Sequence, residues 1–230
     1  GVALANASRE ALRMADVVEE MLKGSRELLR RDDNRLVGDM RRMDDVLDRL
    51  HGSLKRFLGE LSQRELSEDE SARLTHVQTV ALNLEHAGDI IDKGVLDLAA
   101  KRMRRRLCLT EQQVEEAEAM HDHLLAQLRL AVAVFMGEDL QSALRLVEGK
   151  ERFRELERAA AENRMSGTAV STPSPAMSQK WPGPSVTVVS SPACASSTLP
   201  TTNTGISTTV SAVIAVTACT GEGKRFFTKP

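Results

Sequence analysis

The stretch Leu84-Glu85-His86-Ala87-Gly88-Asp89-Ile90-Ile91-Asp92-Lys93-Gly94 decides how this chain is read. Around it Leu74, Val77, Ala81, Leu84, Gly88, Ile91, Val95 and Leu98 recur at alternating intervals of three and four. That is the spacing of an amphipathic helix with one inward stripe. At about 100° per residue, Glu85, Asp89 and Asp92 fall within an arc of roughly 60° beside the stripe. Three carboxylates so placed repel one another unless a cation or a base lies among them.

The segment before it carries the same pattern. Leu36, Met40, Met43, Leu47, Leu50, Leu54, Phe57 and Leu61 form its stripe, and Asp44, Asp48 and His51 lie beside it. Two helices joined by a short turn pack antiparallel, which sets Asp44 and His51 along the same seam as Glu85 and Asp92. Gly88, in the inward row at that level, lets the two backbones approach closely. The set Asp44, Asp48, His51, Glu85, Asp89 and Asp92 suits a hard or borderline cation, divalent or ferric, held by carboxylate oxygens and one imidazole. The same residues also read as a solvated face with Arg41, Arg42 and Arg49 as counterions.

A net charge of −2 among 230 residues predicts no generic attraction to nucleic acid. Aromatics are 3% and Tyr is absent, so base-stacking platforms have almost no material. The three cysteines, Cys108, Cys194 and Cys219, form no CxxC pair and give no disulfide framework. No apolar run reaches the ~18 residues of a membrane span. The opening Gly1-Val2-Ala3-Leu4 has neither an initiator Met nor a signal-peptide pattern, and reads as the middle of a longer polypeptide.

Two materials meet near Arg164. All seven prolines lie after residue 172, and of 33 acidic residues only Glu222 lies beyond residue 164. The first material reads as five helices: Ala5 to Arg31, Asn34 (as N-cap) to Leu61, Ser67 to Arg106, Thr110 to about Phe135, and a last one to about Asn163. Ser67-x-x-Glu70 and Thr110-x-x-Gln113 are capping boxes. An offset of 106 residues superimposes the fourth and fifth helices on the first and second: Met14 meets Met120, Leu22 meets Leu128, Met40 meets Leu146 and Leu47 meets Phe153. A shared turn, Asp33 with Asp139, strengthens the reading of a duplicated three-helix unit. In the copy Asp44, Asp48 and His51 become Lys150, Arg154 and Glu157. A sixth helix is missing where Pro175, Pro182, Pro184, Pro192 and Pro200 fall. The expected architecture is therefore all-α: an antiparallel three-helix repeat over 1–107, two helices of a second repeat over 108–164, and a disordered or frameshifted Ser/Thr/Pro-rich tail over 165–230. With no third partner, the second pair of helices should expose apolar surface and self-associate.

These residues resemble the PhoU-like domains, duplicated three-helix bundles with acidic E/D-x-x-x-D motifs on adjacent helices. Asp44-x-x-x-Asp48 and Glu85-x-x-x-Asp89 look like the paired motifs of one repeat, with Asp45 competing with Asp44. His86 stands where arginine is usual. The opening Ala5-Asn6-Ala7-Ser8-Arg9-Glu10-Ala11-Leu12-Arg13-Met14-Ala15 is similar to the segment after the last membrane span of bacterial sodium/phosphate cotransporters of the NptA type. The resemblance covers about residues 3 to 163. It implies a regulatory domain tied to phosphate uptake, at the cytoplasmic side of the inner membrane, with a transporter domain upstream in the same polypeptide as its partner. It also implies that Asp44, Asp48, Glu85 and Asp89 hold iron or another metal such as manganese or zinc.

No Gly-rich phosphate loop, HExxH, GxSxG or nucleophile triad is present, so an enzyme is not expected. Glu118-x-x-His121 has di-iron spacing, but a buried, hydrogen-bonded His121 is the plainer reading, with His123 facing solvent. A metal-free signalling or docking bundle is the alternative function. The basic run 101–106 suits a helix C-terminus and also anionic lipid headgroups.

Overall fold

The computed structural model describes residues 1–137 and 140–167, with side chains to residue 163. Among them every regular element is a helix. The expectations for the tail beyond residue 167 lie outside the described residues.

The first helix, α1 (Val2–Glu27), is the axis of the molecule and packs against three other helices. Its sequence allows this because small residues share its surface with large ones. Ala7, Ser8, Ala11 and Ala15 are buried beside Leu4, Met14, Val18, Met21 and Leu22. The two buried hydroxyls are satisfied locally, Ser8 donating to the Leu4 carbonyl and Ser25 to the Leu22 carbonyl.

The second helix, α2 (Asn34–Leu61), is capped one residue earlier than the sequence suggests. The Asp33 carboxylate accepts the backbone N–H groups of Arg35 and Leu36, holding that carboxyl below its usual range. Its inward face also differs. Met40, Leu47, Leu54 and Leu61 are buried as expected, but the row paired with them is Val37, Asp44 and Leu58. Phe57 is exposed, and Leu36, Met43 and Leu50 are only half-buried. A helix touching both α1 and the third helix needs a stripe wider than a two-row seam, and α2 uses both flanks.

The third helix, α3 (Glu68–Ile90), opens on the expected capping box. It does not continue straight. Ile91–Leu96 form a turn of π-helix before α4 (Asp97–Arg105) resumes. A π turn inserts one residue into the helical register, so Leu96 rather than Val95 is fully buried, and Leu98 is turned outward. The end of α4 is pinned to α1. Arg102 donates to the carbonyls of Leu28 (2.7 Å) and Leu29 (3.1 Å) and to Asp32 (2.7 Å). These carbonyls belong to the unsatisfied end of α1, where a guanidinium is favourable. Arg106 then adopts φ 51°, ending the helix.

Beyond the Thr110–Gln113 capping box, α5 (Glu111–Gly137) and α6 (Leu140–Gly167) form a second hairpin. Burial recurs at the 106-residue offset: Leu146, Phe153 and Ala160 are buried as Met40, Leu47 and Leu54 are. α5 lies along α1 through a ladder of ion pairs, Arg30 to Glu111 and Glu118, Arg26 to Asp122, and Arg129 to Glu19. His121 is largely buried and its Nδ1 meets the Ala117 carbonyl. His123, expected in solvent, instead reaches the Gly149 carbonyl across the hairpin at 2.8 Å. Met136, Leu140, Leu144 and Val147 are exposed on this hairpin. Among the described residues no helix is long and apolar enough to cross a membrane.

The corrected stripe of α2 is directly checkable. Leu58→Ala should destabilise the fold by about 2–5 kcal/mol in urea denaturation, whereas Phe57→Ala should cost under about 1 kcal/mol. Equal losses would return the register to the one read from sequence.

Candidate acidic seam

The seam between α2 and the third helix is set by Gly88. A Cβ on that residue would lie 2.3 Å from the Leu47 side chain and 2.9 Å from Asp44 Oδ1. The missing side chain is therefore what lets α2 come close, and Leu47 and Asp44 fill the space. Both are buried, Leu47 entirely.

Asp44 consequently sits inside the core row rather than beside it. Its Oδ1 is buried with no hydrogen-bond partner. Burial, reinforced by the charges of Asp92, Asp48 and Asp89, pushes its carboxyl up to about 6. Burial also raises Asp92, against the opposing pull of Arg41. Asp92 Oδ1 lies 3.4 Å from Arg41 Nε but makes no hydrogen bond there. That contact is an ion pair at long range, which leaves the oxygen under-satisfied. Arg41 spends its better contact on Asp97, at 2.6 Å.

The other sequence-derived candidates are placed less centrally. Asp89 is half-buried and pairs with Lys93 at 2.5 Å one turn on. Glu85 is half-buried, 3.6 Å from His86. Asp48 and Asp45 are exposed on α2. His51 is half-buried in the same row as Asp44, two turns along. The structure thus gathers Asp44, Asp48, Asp89 and Asp92 within electrostatic reach of one another, with Glu85 and His51 further along the helices. Among the described residues no group of three or more His, Cys, Asp or Glu side chains is placed to hold a metal ion. In this arrangement Lys93 pairs with Asp89 and Arg41 faces Asp92, so a metal held here would require both bases to turn away.

Two participants escaped sequence reading. Asp97 would lie roughly 140° from Asp92 on a straight helix, and only the π turn brings both to Arg41. Arg102, read as part of a basic run, is an internal clamp with a side chain 14% exposed. Gly94 within the π turn is the one local signal, and alone it does not announce a bulge.

With this geometry in hand, the comparison with known proteins is direct. The family model described as the PhoU domain matches residues 11–95, the span that runs from within α1 through α2 and α3 and takes in Asp44, Asp48, Asp89 and Asp92. Residues 11–95 form a PhoU domain. The chain is homologous to the putative inorganic phosphate export protein YjbB. It is 37% identical over 157 residues to that of Salmonella typhimurium and 35% identical to that of Escherichia coli K12. The match takes in 68% of this chain but spans only 29% of the length of those relatives. The crystal structure of PhoU from Pseudomonas aeruginosa superimposes with a TM-score of 0.67 over 97% of this chain and 93% of that one. At 13% identity that likeness speaks for the helical-bundle fold alone.

Asp44 gives the seam a pH signature. Its folded-state value near 6 exceeds the ordinary 3.8, so the folded chain holds that proton more tightly than the unfolded one. The resulting destabilisation is absent below about pH 4 and complete above about pH 6–7. Asp44→Asn should therefore be more stable than the parent by about 1–3 kcal/mol at pH 7, and nearly equal to it at pH 4, in urea denaturation with a chelator present. A variant less stable at pH 7 would mean Asp44 is paired rather than stranded.

Proposed function

We propose that this chain is the regulatory PhoU-like part of a phosphate transport protein, lying at the cytoplasmic side of the inner membrane and acting by docking, with no reaction of its own. The observation that carries the reading is the 157-residue homology to proteins named for inorganic phosphate export. The likeness of residues 5–15 to sodium/phosphate cotransporters adds sodium coupling. The relatives' names turn the expected direction from uptake to export. Rigid surfaces suit docking: the first three helices bury a continuous core, while acids lie along one seam and bases at one end.

A chimaera tests this. The matched 157 residues of the Escherichia coli K12 relative would be replaced by those of this chain, and radiolabelled phosphate efflux measured in phosphate-loaded cells. The chimaera should behave as the intact relative does, and differently from a version lacking the segment altogether. A chimaera indistinguishable from the deletion would contradict the reading.

A second reading is favoured by one observation, the two under-satisfied buried oxygens of Asp44 and Asp92. A cation entering the seam would relieve their repulsion, once Arg41 and Lys93 had turned away. Binding stabilises by mass action, about 2.7 kcal/mol at a hundred times the dissociation constant. Iron, manganese or zinc should then raise the melting temperature, and Asp44→Asn with Asp89→Asn should abolish the rise. No shift with any of the three would leave the metal-free docking bundle.

A further inference from the structure

The third helix carries two inward rows that cannot both be used. On a straight α-helix the row after Ile91 is Val95, Leu98, Arg102. The π turn advances every later residue by one, so the row becomes Leu96, Ala99, Met103. In the structure Leu96 is fully buried, Ala99 and Met103 pack on the core, and Leu98 is exposed. Over their first two members the rows are similar in apolar content, Leu96 and Ala99 against Val95 and Leu98, and burial favours the observed register only at the third, Met103 against Arg102. The sequence stripe from Leu74 to Leu98 is unbroken in the α register, which is why the bulge is invisible in it.

Two polar contacts select the observed register. Arg41 reaches Asp97 at 2.6 Å while also facing Asp92, which needs residues 92 and 97 on one side. Arg102 reaches the carbonyls of Leu28 and Leu29 and the carboxylate of Asp32. Straightening the helix would rotate both residues by about 100° and break both contacts. In exchange it would restore regular i→i−4 hydrogen bonding through 91–96 and turn Leu98 inward. One contact lies at the acidic seam and the other at the end of α1.

We propose that the third helix is a two-register switch: the π turn at Ile91–Leu96 exchanges with a continuous α-helix, and the exchange turns the exposed basic end, Lys101, Arg104 and Arg105, relative to the acidic seam. A partner that takes Asp92 or Asp97 from Arg41 is read at the far end as a rotation of that surface. A partner that captures the basic end in its rotated position frees Arg41 in return. The proposal concerns a conformational equilibrium of the isolated chain, and it stands or falls independently of phosphate transport.

Methyl NMR on the full chain tests it, with a soluble paramagnetic agent reporting exposure of the Leu96 and Leu98 methyls. In the parent, Leu98 should be strongly relaxed and Leu96 protected. Combining Asp97→Asn with Arg102→Gln removes the contacts that select the bulge, and should reverse the order, with several-fold less relaxation at Leu98. Deleting Gly94 removes the extra residue while keeping Leu96, Asp97 and Arg102 in their present places. In that background the same two substitutions should no longer reverse the order. Relaxation dispersion on the unsubstituted chain provides a second reading that does not depend on the variants folding. Exchange at both methyls that vanishes on deletion of Gly94 supports the switch. Flat dispersion profiles at both, or an unreversed order in the folded double variant, would overturn it.

Discussion

The close approach of α2 and α3 at Gly88 is the constraint on which the rest of this structure depends. Interiors tolerate neither voids nor overlap, so the missing side chain is filled by Leu47 and by the Asp44 carboxylate. The Asp44 Oδ1 there is buried without a hydrogen-bond partner, and that burial raises the carboxyl's proton affinity. Asp92, Asp48 and Asp89 add charge around it, and Arg41 and Lys93 answer from the rim. An apolar residue at position 44 would fill the space without this conflict. The arrangement therefore carries a local cost in stability, which functional sites commonly do.

The π turn extends the same logic down the helix. By advancing the register it brings Asp97 beside Asp92 for Arg41 and delivers Arg102 to the open carbonyls at the end of α1. Seam and helix end are thereby joined through one irregular turn, with Leu96 buried between them. The second hairpin is attached along α1 by its ladder of ion pairs.

Much of this was legible in the residues because helices announce themselves by period and cap. The boxes at Ser67 and Thr110, the end of α2 at Leu61 and the equivalence of Met40 with Leu146 all follow from local rules. What failed were choices between adjacent rows. Leu36, Met43, Leu50 and Phe57 are more apolar than Val37, Asp44, His51 and Leu58, so hydrophobicity picks the first row. The structure favours the second because α2 has two neighbours and Gly88 makes room for Asp44. The π turn was hidden for a related reason: Val95 and Leu98 complete an α stripe so well that nothing local asks for a bulge. The membership of the acidic seam was legible as a neighbourhood, but its pairing was not, since Arg41 and Lys93 reach it through geometry that spacing does not encode.

Gly88→Ala tests the central claim by its sign. On an open helix face, replacing Gly by Ala stabilises by up to about 1 kcal/mol through helix propensity. At a close crossing filled by a wholly buried Leu47, the added methyl must displace packed atoms, which costs about 1–3 kcal/mol. Chemical denaturation of the variant should therefore show a net loss of stability, with the helical circular dichroism of the folded state retained. A gain in stability would contradict the account, because it would mean that α2 and α3 do not meet at Gly88.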